Sequence, residues 1–326
     1  MFQDWMHSVA QLIGHSDVHS RFLSALGGQV LHHAWLLHGA SGIGKSLLAR
    51  QMAMAYLCIE NAQPGEAVVA CGLCHGCRMF EANSHPDMFL MHLGEKKRDI
   101  SVQQSRDLLD FLSLSGAESR RRVAVIDDAE ALNKQAANAL LKSVEEPGKG
   151  LLLILVCSDM QRLPATLRSR CLMQPCSPLN DKECSMVLET MSIPDSCKEL
   201  ARNLANGRPG RVSCLVDADI GHAIAEWWDM SADMAAADIG EVEAWISRNV
   251  SRVPHSLITD AILHQLAHSL IDTEGGFALL DELHEVARKI AMWPESVRRH
   301  TLRPAQSLLA HVVGLRLALR QVNKAA

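Results

Sequence analysis

The 326-residue chain is 48% hydrophobic and 21% charged, a mixture that buries sizeable cores in two or three domains. Its longest apolar run, Leu151–Cys157, falls far short of the ~18 residues a membrane span needs. The opening residues, with Asp4 and no basic segment ahead of an apolar core, do not read as a secretory signal. The net charge of −5 excludes a polycation that coats nucleic acid, but it is unevenly spread. Residues 1–214 hold 22 basic and 22 acidic side chains, residues 215–286 hold 2 against 14, and residues 287–326 hold 8 against 1. Such asymmetry belongs either to interaction surfaces or to solvated helix faces.

In chain order, Ala34–Leu37 is a short apolar run closed by a Gly-rich turn, and Lys45–Cys58 carries a helical period through Leu47, Leu48, Met52 and Ala55. Met88–Met91 is a second apolar run, Val102–Leu114 is helical by period, and Arg122–Ile126 is a strand ended by two aspartates. Asn133–Glu146 reads as a helix stopped by Pro147 and Gly148, and Leu151–Val156 as a buried strand. The alternation predicts an α/β domain with a parallel sheet covered by helices on both faces. After Cys176-Ser-Pro-Leu179 the strands stop. Asp181–Met191 and Ser196–Asn206 read as short helices, and from about residue 218 the pattern is almost wholly helical, with breaks expected at Pro254, Gly275-Gly276 and Pro294. Three parts follow: 1–177, 178–217 and 218–326.

Gly39-Ala-Ser-Gly42-Ile-Gly44-Lys45-Ser46 fits G-x-x-x-x-G-K-[ST], with a strand before it and a helix after it. The glycines let successive N–H groups turn inward on a phosphate at a helix N-terminus. Lys45 would neutralise the terminal phosphates and Ser46 would offer its hydroxyl to Mg²⁺. Downstream, Val123-Ala-Val-Ile-Asp127-Asp128-Ala-Glu130 puts carboxylates at the end of a buried strand. Asp127 suits Mg²⁺. Asp128 stands where the residue that orients the attacking water is usually Glu, and a side chain one methylene short can cost ~100-fold in rate.

Ten cysteines in a chain of this kind belong to a reducing cytosol rather than to a disulfide scaffold. Cys71, Cys74 and Cys77 lie at i, i+3 and i+6, placed to surround one tetrahedral Zn²⁺. Cys58 is the best fourth ligand, with His75 and His85 as weaker candidates. A closed site of this kind does no chemistry and pins an excursion of the chain. In Leu163-Pro-Ala-Thr-Leu-Arg168-Ser169-Arg170-Cys171, Arg170 is either a surface arginine or one brought to a neighbour's γ-phosphate.

Together these segments resemble the AAA+ clamp-loader family of bacterial DNA polymerase III. Leu12-Ile-Gly14-His15 and His32–Gly39 are similar to the family's entry to its phosphate loop. The four cysteines (about residues 58–77) resemble its zinc module, and Ser84-His-Pro-Asp87 its next strand entry. Ala137-Asn-Ala-Leu-Leu-Lys-Ser-Val-Glu145-Glu-Pro147 resembles its helix motif, and Ser169-Arg170-Cys171 its arginine-finger motif. The resemblance implies an AAA+ P-loop domain at 1–177, a helical lid at 178–217 and a helical collar at 218–326. It implies a hetero-oligomer with gamma/tau and delta subunits, and through them contact with the sliding clamp and primer-template DNA, with no membrane and a cytoplasmic location. Arg170 would act in trans as a finger, and Ser158 would be the polar sensor of the core.

Departures point to a stator rather than a motor. Asp128 replaces the motor's Glu, and Gly207-Arg-Pro-Gly210-Arg211 puts Gly210 where a sensor arginine would stand, with Arg208 or Arg211 as substitutes. ATP or ADP with Mg²⁺ would then be held with little or no turnover. The chain would be a component of the polymerase holoenzyme and not itself the polymerase. A hydrolysing motor of the same complex and an unrelated P-loop kinase are the competing readings, and the zinc insertion and helical C-terminus disfavour the kinase.

Overall fold

The computed structural model describes residues 12–28, 30–62, 69–93, 102–113, 121–271, 277–300 and 303–325. The chain forms two compact units, Met1–Glu183 and Cys184–Ala326. The first holds a five-stranded parallel sheet built from β1 (Ala34–His38), β2 (Met88–Met91), β3 (Arg122–Ile126), β4 (Leu151–Cys157) and β5 (Leu172–Pro175), in the order β2-β3-β4-β1-β5.

The seven residues of β4 are all buried, as a strand covered on both faces requires, and β4 lies between β3 and β1. Alternate residues serve opposite cores. Trp35 and Leu37 of β1, with Leu152, Ile154 and Val156 of β4, pack under α1 (Ser16–Gly27) and α2 (Lys45–Leu57). The Phe22 ring meets Trp35 edge-on at 5.2 Å. Leu36, Leu153 and Leu155 face the other way, toward α4 (Val102–Ser113) and α5 (Lys134–Glu145). Between α2 and β2 lies the short α3 (His75–Glu81); a single turn, α6 (Ala165–Arg168), precedes β5.

Two expectations are corrected. β5 has no counterpart in the sequence reading, and Pro294 does not break a helix but lies inside one. Gly275-Gly276 lies outside the described residues.

The second unit is helical: α7 (Asp181–Thr190, which begins in the first unit), α8 (Lys198–Ala205), α9 (Ala218–Ala232), α10 (Ile239–Asn249), α11 (His255–Ile271), α12 (Phe277–His300) and α13 (Pro304–Ala325). Asp217 and Asp238 cap α9 and α10 by accepting backbone N–H groups of their first turns. Trp227 and Trp245 stack at 4.4 Å in its core. Their indole N–H groups donate to Ile258 O and Ala223 O at 3.1 and 2.9 Å, so neither ring buries an unpaired donor. No described helix is long and apolar enough to cross a membrane.

Candidate functional site

β1 ends at His38, and six residues turn the chain into α2. Gly39 and Gly44 hold φ of 151° and 97°, values that L side chains avoid. A Cβ on Gly39 would run into the Cys176 carbonyl. His15 steadies the turn from outside, its Nε2–H donating to Ile43 O at 2.8 Å.

Lys45 is only 4% exposed. Its ammonium donates to Gly39 O at 2.9 Å, Ala40 O at 2.7 Å and Ser158 Oγ at 3.2 Å. Burial pulls its pKa below the usual lysine range, against the opposing charges of Asp127 and Glu130. Because β4 sits between β1 and β3, Ser158 emerges between the loop and the acidic turn after β3. There Ser46 Oγ donates to Asp127 Oδ2 at 2.6 Å, bringing together the two side chains that magnesium would need. Asp128 holds φ 51° at the start of the turn Ala129–Ala131. Burial, with Asp127 and Glu130 beside it, pushes its carboxyl up to about 6. The Gly39, Gly42 and Gly44 loop, Lys45, Ser46, Asp127 and Ser158 therefore belong to one site at the carboxyl edge of the sheet, where ligands of open α/β sheets bind.

The cysteines form a separate site at the far end of α2. Cys58 ends that helix, its N–H donating to Met54 O, and Cys74 caps α3. The sulfurs of Cys58, Cys71, Cys74 and Cys77 all lie within 4.8 Å of one another. The Cys58–Cys74 and Cys71–Cys77 separations are 4.0 and 3.9 Å. A tetrahedron with Zn–S bonds of ~2.3 Å has edges of about 3.8 Å, so the set fits zinc. Backbone N–H groups of Cys71, Cys74 and Cys77 point at sulfur over 3.3–3.5 Å, which suits thiolates. His85 is instead taken up by the Asp87 N–H.

Arg170 joins neither site. It lies in the turn ahead of β5, whose Leu172 and Pro175 pair with Trp35 and His38, and so at the amino edge of the sheet. The phosphate loop opens from the carboxyl edge, at least the length of β5 away, about 13 Å. Its side chain is 40% exposed, the guanidinium paired with Glu145 at 2.8 Å and donating to Thr166 O at 2.9 Å.

A family model described as DNA polymerase III, delta subunit, matches residues 14–180, just over half of the chain. The chain belongs to that family. A DNA polymerase III subunit delta′ from Pseudomonas aeruginosa is 40% identical over 182 residues, 56% of this chain and 54% of that protein. The delta′ subunit of Bacillus subtilis is 34% identical over 180 residues, 54% of this chain and 50% of that one. The tau subunit of Escherichia coli is 29% identical over 296 residues, 87% of this chain and 43% of that one. The chain thus spans about half the length of the curated relatives it matches. Among solved structures, a gamma subunit-related protein from Thermotoga maritima superposes with a TM-score of 0.52 at 12% identity, over 92% of this chain and 99% of that one. That likeness is one of fold, and with the parallel sheet and P-loop it places the family member in the AAA+ fold class.

Two further residues of this family member build the site through side-chain contacts that the sequence did not assign to them. One is His15, on the loop carbonyl. The other is Glu130, whose Oε1 accepts the Ser158 N–H at 3.1 Å; it stood in the acidic run, but spacing alone does not tell which of three carboxylates faces the loop. In the second unit Arg211 pairs with Asp260 at 2.5 Å, both largely covered. Burial, helped by the positive charge of Arg211 and opposed by Asp260, lowers the pKa of Arg208 beside it.

Proposed function

We propose that the chain is a delta′-type stator of the DNA polymerase III clamp loader. It assembles with gamma/tau and delta subunits into a cytoplasmic hetero-oligomer that places the sliding clamp on primer-template DNA, and Arg170 completes the ATP site of the adjacent subunit. The observation that carries this reading is the place of Arg170. An arginine at the amino edge of the sheet is out of reach of its own phosphate loop, and its half-exposed pair with Glu145 can open to meet a phosphate held by another molecule. An arginine so delivered is worth ~10³–10⁵ in rate. The parts assigned are the P-loop domain (1–177), the lid (178–217) and the collar (218–326).

In the chain's own pocket the loop N–H groups and Lys45 would hold the phosphates of ATP or ADP, and Ser46 with Asp127 would hold Mg²⁺. Magnesium when bound supplies charge neutralisation between the phosphates. Asp128 is too short to orient water as a Glu does, so the pocket binds with weak turnover or none. Cys58, Cys71, Cys74 and Cys77 hold a structural Zn²⁺. A second reading, a hydrolysing motor of the same complex, is favoured by the intact Lys45 and by the Ser46–Asp127 pair. The two separate in one experiment: ATP turnover by the isolated chain with Mg²⁺. The stator reading expects no turnover that Lys45→Ala abolishes; Lys45-dependent turnover makes the chain a motor.

A further inference from the structure

Glu130 occupies a position that its place in the acidic run does not explain. It lies in the turn after β3, and its Oε1 takes the N–H of Ser158 on the neighbouring strand end. The last rung of the β1–β4 ladder is His38 with Cys157. Ser158 therefore stands one residue beyond the sheet, where no strand partner fixes its backbone. Its hydroxyl in turn accepts from Lys45 Nζ. A continuous path, carboxylate to backbone N–H and hydroxyl to ammonium, connects the acidic turn to the loop lysine. Burial, with the Glu130 carboxylate beside it and hydrogen-bonded to it, raises the pKa of the Cys157 thiol, so Glu130 holds the end of β4 through two neighbouring residues.

The loop N–H groups serve a diphosphate as well as a triphosphate. What a third phosphate adds is charge that needs its own donors, and the donors at hand are Lys45 and the Ser158 hydroxyl. We infer that Glu130 is a positioning residue, which fixes Ser158 beside Lys45 so that the pair reads a terminal γ-phosphate and gives the pocket its preference for nucleoside triphosphate over diphosphate. The inference rests on the nucleotide-holding reading above and adds the group that sets its selectivity.

The test uses the full-length, zinc-loaded chain and equilibrium binding of ATP and of ADP, each with Mg²⁺ at one salt concentration. Wild type binds ATP more tightly than ADP. Glu130→Ala loses about tenfold in ATP affinity, the worth of one charge-assisted hydrogen bond, with ADP affinity held within about twofold. Glu130→Gln, whose amide oxygen still accepts the Ser158 N–H, recovers the wild-type ratio. Ser158→Ala reproduces the Glu130→Ala ratio and serves in its place should the latter not fold, as judged by thermal midpoint and zinc content. Equal losses for the two nucleotides, an unchanged ratio, or a Gln variant no better than Ala each overturn the inference. Absence of any nucleotide binding by wild type overturns the nucleotide-holding reading itself, which is a separate result from loss of selectivity alone.

Discussion

Ser46 and Asp127, 81 residues apart in the chain, are joined by a 2.6 Å hydrogen bond from hydroxyl to carboxylate. The bond exists because β3 and β1 both end at the carboxyl edge of one sheet, with β4 between them as spacer. Ser46→Ala leaves a largely buried carboxylate without this donor. The expected stability loss is about 1–3 kcal/mol, read from urea denaturation. Nucleotide affinity should fall in the presence of Mg²⁺ and stay nearly unchanged when the metal is chelated.

The zinc site predicts one equivalent of zinc per purified chain, released when thiols are blocked by a mercurial. Cys74→Ser should carry little zinc. It should also lower the unfolding midpoint of the first unit, since metal-binding free energy is folding free energy where no preformed site exists in the unfolded chain. Zinc content near zero in a well-folded wild type would remove the site.

Two glycines in different settings should respond with opposite sign. Gly314 lies inside α13, where an added methyl meets nothing within 4 Å. Gly314→Ala is expected to stabilise by about 0.5–1 kcal/mol through helix propensity. Gly39→Ala must instead leave its left-handed backbone region or displace the Cys176 carbonyl, and should cost more than about 2 kcal/mol. Chemical denaturation of the two variants reads both values.

Acid should weaken the second unit. Burial lowers the pKa of His255, His264 and His311 below 6.5, helped at His264 by His268 and at His311 by Lys289. At His255 the Val250 carbonyl opposes burial without cancelling it. The unfolded chain therefore takes up protons first. Stability is full above the unfolded value of 6.5 and is lost as pH falls below it toward the folded values. Between pH 7.5 and 5 the melting midpoint of this unit should drop by a few degrees, and His255→Gln should flatten the dependence.

Much of this was legible because apolar runs and punctuation agreed. Leu151–Cys157 reads as a central strand and is one, and the phosphate loop, acidic strand end and cysteine set each announced themselves by residue type. β5 was not legible because its local pattern is inverted. Leu172 and Met173 are exposed while Gln174 is buried, held by the guanidinium of Arg21, and it closes on a proline, as edge strands can. Pro294 misled for a related reason. A proline costs a helix roughly 3 kcal/mol, but Ile290 and Trp293 in the turn just ahead of it are fully buried, and Trp293 donates to Ser307 Oγ of α13 at 2.8 Å. Packing outweighs propensity there. Arg170 was recognisable as a motif, yet the edge of the sheet it occupies depends on β5.

On the function proposed above, this chain completes a neighbour's phosphate-cleaving pocket and has little firing power in its own. The most direct measurement is DNA-stimulated ATPase of the reconstituted loader carrying either Arg170→Ala or Lys45→Ala in this chain alone. Arg170→Ala, with assembly intact, should lower turnover ~100-fold or more, while Lys45→Ala should leave it nearly unchanged. Turnover insensitive to Arg170 and abolished by Lys45→Ala would contradict it.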